Sequence, residues 1–162
     1  MPTPTYTLID SVTLASSASS VTFSGISGTG KGDLVLQMEH SAVSGTLVAQ
    51  GIFNSDSGSN YNTVLMNGNG SSAATGAGNN VWFNFGVSTS TAKIISRIQI
   101  QDFSAIDKHK SCLARLDRAD YQVYASALRW ASTSAITSIG ITASASSFAA
   151  GSTFHLYQIV SE

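Results

Sequence analysis

The stretch that decides the fold is "RWASTSAITSIGITASASSFAAGSTFHLYQI", from Arg129 to Ile159. After its first residue it contains no Asp, Glu, Lys or Arg. Large apolar residues at Ile139, Ile141, Phe154 and Leu156 stand among small polar ones with a spacing of two. Successive side chains of a β-strand point to opposite faces, so this alternation predicts strands with one buried face. The end of the chain is therefore predicted to be β-structure.

The same alternation recurs from end to end, and no helix-length apolar pattern competes with it. Strand-like runs such as "DLVLQME", "NVWFNFGV" and "AKIISRIQIQDF" are separated by turn-rich stretches such as "NSDSGSN". The longest uncharged low-complexity piece, residues 67–80, is predicted to be a mobile loop or a long hairpin tip. About ten strands in a chain of this size predict one all-β domain, a sandwich or a barrel.

Composition excludes several classes of protein. Charged residues make up only 10% of the 162 residues, against roughly 25% in ordinary soluble chains. A net charge of -1 argues against nucleic-acid binding by phosphate neutralisation. No run approaches the roughly 20 apolar residues of a membrane span, and the first residues do not resemble a signal peptide, so we expect neither. The single Cys112 excludes an internal disulfide and is predicted to be a small buried hydrophobe.

The sequence gives no pattern for catalysis, a metal or a cofactor, and we expect none of the three. No "GxSxG" motif occurs, His40 and His155 lie within strand patterns, and His109 is predicted to be exposed. The oxygen donors in "FNSDSGSNYN", among them Asn54 and Asp56, lack the further carboxylates of a calcium loop.

Aromatic residues allow a second hypothesis, a platform on which sugar rings stack. The candidates are Trp82, Phe83, Phe85, Tyr121, Tyr124 and Trp130. Alternation places Phe83 and Phe85 on one face with Val81, which predicts that these two are core residues and weakens the platform.

Charge is concentrated in one segment of the chain. Residues 93–129 hold seven of the eight Lys and Arg residues, whereas Asp56 is the only formal charge between His40 and Ala92. This segment is either a solvated layer or a docking face. The candidate docking residues are Lys108, Lys110, Arg115 and Arg118.

Three stretches carry a resemblance to a known group of proteins. "LIDSVTLASSASSVTFSGISG" near the start, "GIFNSDSGSNYNTVLMNG" in the middle and the closing segment quoted above resemble small all-β virion proteins of tailed bacteriophages. The resemblance covers most of the chain and is weakest between Asn69 and Thr91. The chain departs from the pattern at His155, where a small residue is common, and at Gln158, where glycine is usual.

The resemblance implies a jelly-roll-like antiparallel β-sandwich over residues 6–162, assembly as a homotrimer, and a place in the virion. The implied function is that of a capsid decoration, or cement, protein. Such a protein would be made in the host cytoplasm and would bind the major capsid protein on the outer capsid surface, without nucleic acid or membrane. The alternative is a tail-fibre or baseplate module that binds host glycans. Pro2 and Pro4 independently predict that residues 1–5 form an extended arm, because proline lacks the amide donor that a ladder needs.

Overall fold

The computed structural model describes residues 5–27, 32–90, 92–118 and 122–160, and all regular structure in them is β-strand. The strands are β1 Tyr6–Thr13, β2 Ser20–Phe23, β3 Gly32–His40, β4 Thr46–Phe53, β5 Tyr61–Gly68, β6 Ala73–Asn80, β7 Phe83–Thr89, β8 Ile94–Ile100, β9 Lys110–Arg118, β10 Gln122–Trp130, β11 Ile139–Ser144 and β12 Thr153–Val160. The all-β prediction is confirmed, with twelve strands instead of about ten.

The strands form two antiparallel sheets that face each other as a sandwich. The larger has eight strands in the order β1-β12-β3-β8-β9-β10-β5-β6, and the smaller has four in the order β2-β11-β4-β7. Apolar side chains from both inner faces make one core, since the alternation seen in the sequence turns one side of each strand inward.

Eight of the strands have the connectivity of a jelly roll. The pairs β1–β12, β2–β11, β3–β8 and β4–β7 are those of one long hairpin. The further pairs β12–β3 and β11–β4 form when that hairpin is rolled up. The predicted jelly-roll-like sandwich is therefore the observed class of fold.

Two inserted hairpins account for the remaining four strands. β5 and β6 lie between β4 and β7 of the roll, and β9 and β10 lie between β8 and β11. The hairpins pair with each other through β10 and β5, and with the roll through β9 and β8. We call these four strands the extension, because they widen only the larger sheet.

An aromatic cluster attaches the extension to the smaller sheet. The ring of Tyr61 on β5 lies 4.7 Å from that of Phe83 on β7, and the ring of Trp130 on β10 lies 5.6 Å from that of Phe53 on β4. Edge-to-face contacts of this kind add to the stabilisation from burial alone. The part of the extension that contains Tyr61 and Trp130 therefore belongs to the core, whereas its outermost strand, β6, is exposed along almost its whole length.

Burial and strand pairing agree with most of the predictions for single residues and segments. Phe83, Phe85 and Cys112 are buried, as predicted. The prediction of a loop or hairpin tip over residues 67–80 is correct only for residues 69–72, because Asn67 and Gly68 end β5 and Ala73–Asn80 pairs along its length with that strand. Backbone pairing with β5 makes this low-complexity stretch a strand. β1 begins at Tyr6, and residues 1–4 of the predicted arm lie outside the described residues.

Candidate interaction surface

The outer face of the extension, turned away from the smaller sheet, exposes large apolar side chains. Val64 and Met66 on β5 are 62% and 63% exposed, Leu113 on β9 is 57% exposed, and Val123 on β10 is 51% exposed. Alternation puts them there, since residues of opposite parity on the same strands, such as Thr63, Cys112 and Leu128, point into the core. The face is apolar because both sides of these strands carry apolar residues.

The register of the strands places these side chains in continuous rows across the sheet. One row, read across all eight strands, is Ala77, Val64, Ala127, Leu113, Gln99, Val35, Tyr157 and Leu8. The neighbouring row is Thr75, Met66, Ala125, Arg115, Arg97, Gln37, His155 and Ser11. Val64, Leu113 and Met66 lie in these two rows, whereas the exposed Val123 and Ile95 lie in the next row, on either side of Asp117.

Two shallow grooves lie side by side on this face. The first, of about 630 Å³, is lined by Met66, Ala74, Val123 and Ala125, with Arg115 at its side. The second, of about 560 Å³, is lined by residues of β5, β9 and β10 that include Val64 and Leu113. A partner with projecting side chains would fit this corrugated surface.

Two arginines stand directly opposite each other beside the first groove. Arg97 on β8 and Arg115 on β9 are cross-strand partners, and both side chains are exposed. Like charges in this arrangement repel each other. Each is partly compensated, since the guanidinium of Arg97 donates to the Tyr6 hydroxyl at 3.0 Å and that of Arg115 lies 3.0 Å from the Asp117 carboxylate. An anionic group from a partner would relieve the remaining repulsion.

The four predicted docking residues do not form one surface. Lys108 is exposed in the loop before β9 and forms a 2.5 Å ion pair with Asp102. Arg115 lies on the outer face of β9, whereas the half-buried Arg118 at the end of that strand has the opposite parity. The prediction grouped them by sequence proximity, but strand alternation separates them.

Lys110 is removed from the docking set because it is fully buried. Its ammonium group donates to the carbonyl of Ala105 at 2.7 Å, that of Lys108 at 3.2 Å and that of Thr133 at 3.4 Å. Desolvation lowers the pKa of this lysine. Lys110 therefore holds two loops together and does not face a partner.

The oxygen-rich stretch that resembled a weak calcium loop is a structural loop. The Asp56 carboxylate accepts hydrogen bonds from the indole of Trp130 at 2.7 Å, the amide of Asn60 at 2.9 Å and the backbone N–H of Gly58 at 2.9 Å. These bonds, led by the one from Trp130, lower the pKa of Asp56. The side chain of Asn54 binds the backbone of residues 135, 137 and 138. In the described ranges, no three His, Cys, Asp or Glu side chains come together as metal ligands.

One pair of side chains has the elements of a nucleophile and its base. Nδ1 of His40 lies 3.0 Å from the hydroxyl of Ser88, and both residues are fully buried. Burial lowers the pKa of His40 to about 4. Because no substrate reaches this pair, it is a polar element of the core. His155 is half-buried on β12 and His109 is exposed, the latter as predicted.

The aromatic residues do not form the platform that glycan stacking requires. Phe83, Phe85 and Trp130 are buried, whereas Trp82, in the turn between β6 and β7, and Tyr124, on β10, are half-buried. Tyr121 lies outside the described residues. Phe83 and Trp130 make edge-to-face contacts in the core and Phe85 stacks on Phe83, so these three candidate rings serve core packing.

Comparison with known proteins gives no further guide. No family model, no curated protein and no solved structure matches the chain. In the part of the chain that the structure describes, there is also no helix long and apolar enough to cross a membrane.

Sequence reasoning missed Arg97 and the exposed apolar residues of the outer face. A signal for Arg97 was present, because in "IISRIQI" it alternates with the residues that fill the core. No comparable signal existed for Val64 or Leu113, since apolar residues on both sides of a strand read as a doubly buried strand. Only the width of the smaller sheet shows which side is left uncovered.

Proposed function

We propose that this protein is a structural protein of a tailed-bacteriophage virion. It decorates the assembled head by binding the major capsid protein at the outer capsid surface, as a cement protein does. The supporting observation is the outer face of the extension, where an apolar surface with two grooves adjoins the opposed Arg97 and Arg115. Such a surface suits a protein partner that supplies projecting apolar side chains and carboxylates.

Binding of this kind stabilises a shell by mass action. A protein that binds only the assembled lattice shifts the equilibrium away from dissociated subunits. The decorating protein needs no catalytic group, cofactor or metal for this role, and its cytoplasmic synthesis precedes attachment to the finished head. The jelly roll provides a rigid platform for the docking face, because the sheet that carries the face is anchored by the aromatic cluster.

Immunogold electron microscopy of purified virions tests the location directly. Gold on the head supports the proposal. Gold on the tail would instead support the alternative, a tail-fibre or baseplate module, and absence from the particle would refute both.

The docking face is tested by occupancy on particles that lack the wild-type protein. The double variant Arg97→Gln/Arg115→Gln should occupy fewer sites at low salt than the wild type, and its occupancy should change less with ionic strength. Rim charges contribute roughly 0.2–1 kcal/mol each, so two are changed together. Lys108→Gln is the matched control, because that lysine is exposed but lies off this face. The control removes one positive charge and the double variant removes two, so half the loss in the control would show that only net charge matters.

A further inference from the structure

Both edges of the eight-stranded sheet are open. β1 and β6 are its outermost strands, and among the described strands none pairs with the far side of either. Open edges present rows of unpaired backbone donors and acceptors, and natural proteins usually protect them with charge, proline or a covering loop. How each edge is equipped therefore indicates whether it is meant to stay open.

β6 has none of the usual protection. Its sequence, AATGAGNN, contains no charged residue and no proline, and all of it is exposed except the half-buried Gly76. The N–H of Asn69 donates to the carbonyl of Ser72 at 3.1 Å in the turn before β6. This bond makes Asn69 and Ser72 a hydrogen-bonded pair, and hydrogen-bonded pairs occur at every second position of an antiparallel ladder. The even-numbered residues of β6 therefore bond to β5, whereas Thr75 and Ala77 direct their backbone N–H and C=O groups to the open side.

β1 is complementary to β6 in length and side-chain size. It also has eight residues, of which Asp10 alone is charged. Its side chains of Tyr6, Leu8 and Ile9 are exposed in the isolated chain. Large apolar side chains on one edge would cover the alanines and glycines of the other, and Asp10 is the one charge that β1 would bring to the contact.

Strand direction and register also agree. Every neighbouring pair in the larger sheet is antiparallel, and an even number of strands makes β1 and β6 run in opposite directions. A β6 edge joined to the β1 edge of another copy would therefore continue the antiparallel pattern. Ala77 and Leu8 already belong to one row of the sheet, and Thr75 and Ser11 to the next. Overlap of the two strands continues both rows, with the bulge of β1 between Leu8 and Asp10 placing one extra residue between them.

We propose that the occupant of the β6 edge is β1 of a second copy of this chain. This contact would be the subunit contact of the proposed homotrimer. Only the number of copies in the assembly rests on the proposed function. A head-to-tail contact closes into a ring or extends as a chain. Joined sheets share their faces, so the apolar outer faces of neighbouring copies lie on the same side of one continuous sheet.

The competing arrangement pairs β6 with β6 about a twofold axis. It would set small residues against small residues and leave Tyr6, Leu8 and Ile9 exposed. The β6–β1 contact covers both edges with one type of interface, which is why we favour it.

Disulfide trapping in the isolated protein distinguishes the two arrangements. Thr75→Cys and Ser11→Cys are made as separate single variants, mixed, and oxidised with glutathione disulfide. Directly opposed strand residues lie roughly 4.5–5.5 Å apart between Cα atoms, which a disulfide can span. The native Cys112 should not form a disulfide, because its thiol is buried and burial raises the pKa of that thiol. We expect a covalent dimer in the mixture and none in either variant alone.

The control mixture pairs Thr75→Cys with Thr142→Cys, an exposed position on the smaller sheet, and should stay uncrosslinked. A dimer from Thr75→Cys alone would establish the β6–β6 arrangement and overturn the proposal. A mixture that gives no more dimer than the control would overturn it as well.

A second variant tests the backbone contact. Ala77→Pro removes an N–H that points to the open side, so it should leave the ladder with β5 and the melting temperature nearly unchanged. Light scattering at micromolar concentration should show the wild type as an assembly and this variant at 16.8 kDa. A monomeric wild type, or a folded variant that still assembles, would refute the contact. Neither measurement uses the phage, so each is independent of where the protein is found in the virion.

Discussion

Acidification should destabilise the fold through His40. This residue is fully buried between the sheets, its Nδ1 pairs with the Ser88 hydroxyl, and its Nε2 has no hydrogen-bond partner among the described residues. Protonation would place an imidazolium in the core, against the edge of the Phe148 ring at 5.3 Å between centroids. Burial accordingly lowers the pKa from 6.5 to about 4.

The direction and size of this change in stability follow from proton linkage. Between these two pKa values the unfolded chain binds a proton that the folded chain does not, so stability falls as the pH decreases. The stability that the neutral His40 contributes is fully present above pH 6.5 and is lost progressively down to about pH 4. A difference of about 2.5 pH units corresponds to about 3 kcal/mol, at 1.36 kcal/mol for each unit. That is a large share of the roughly 5–15 kcal/mol that stabilises an ordinary domain.

Urea titrations at fixed protein concentration, from pH 7.5 to pH 4, measure this loss. His40→Gln removes the titrating group, so the difference in unfolding free energy between wild type and variant should change by about 3 kcal/mol across that range. Carboxylates titrate in both proteins and cancel in the difference. His109→Gln, at an exposed position, should leave the wild-type pH dependence intact. A His40 imidazole that titrates near pH 6.5 in NMR spectra, or parallel curves for wild type and His40→Gln, would refute the reasoning.

Three further changes test the contacts that shape the fold. Asp56→Ala removes the acceptor of three hydrogen bonds and should lower the free energy of unfolding by about 1–3 kcal/mol, with increased exposure of the indole in fluorescence spectra; an unchanged urea midpoint would contradict this role. Gly51→Ala would place a Cβ 2.0 Å from the ring of Phe85, so overpacking should cost about 1–3 kcal/mol in a thermal melt, and a neutral result would mean that the ring can move aside. Lys110→Met leaves three carbonyls without their donor and should cost about 1–3 kcal/mol, whereas Lys108→Gln should cost under about 0.5 kcal/mol; equal effects would contradict the burial of Lys110.

The candidate surface was only partly predictable. Arg115 was identified from sequence and lies on the exposed face, but Lys110 was assigned to the same surface and is buried. Strand parity separates Lys110 from Arg115, which are five positions apart. Parity alone does not show which face of a strand the second sheet will cover, because that depends on strands far away in the sequence.

What the sequence determined by itself was the class of fold. Period-two alternation, as in residues 129–159, is a local property, and it predicted strands, their inner faces and an all-β domain that was either a sandwich or a barrel. The buried Cys112 was predicted as well. Tertiary structure alone decided that residues 73–80 form an edge strand and that the two inserted hairpins pair with each other. It also decided that a four-stranded sheet leaves the outer face of an eight-stranded one exposed. Pairing between distant strands and the relative width of two sheets arise from long-range contacts, for which no short stretch of sequence carries a signal.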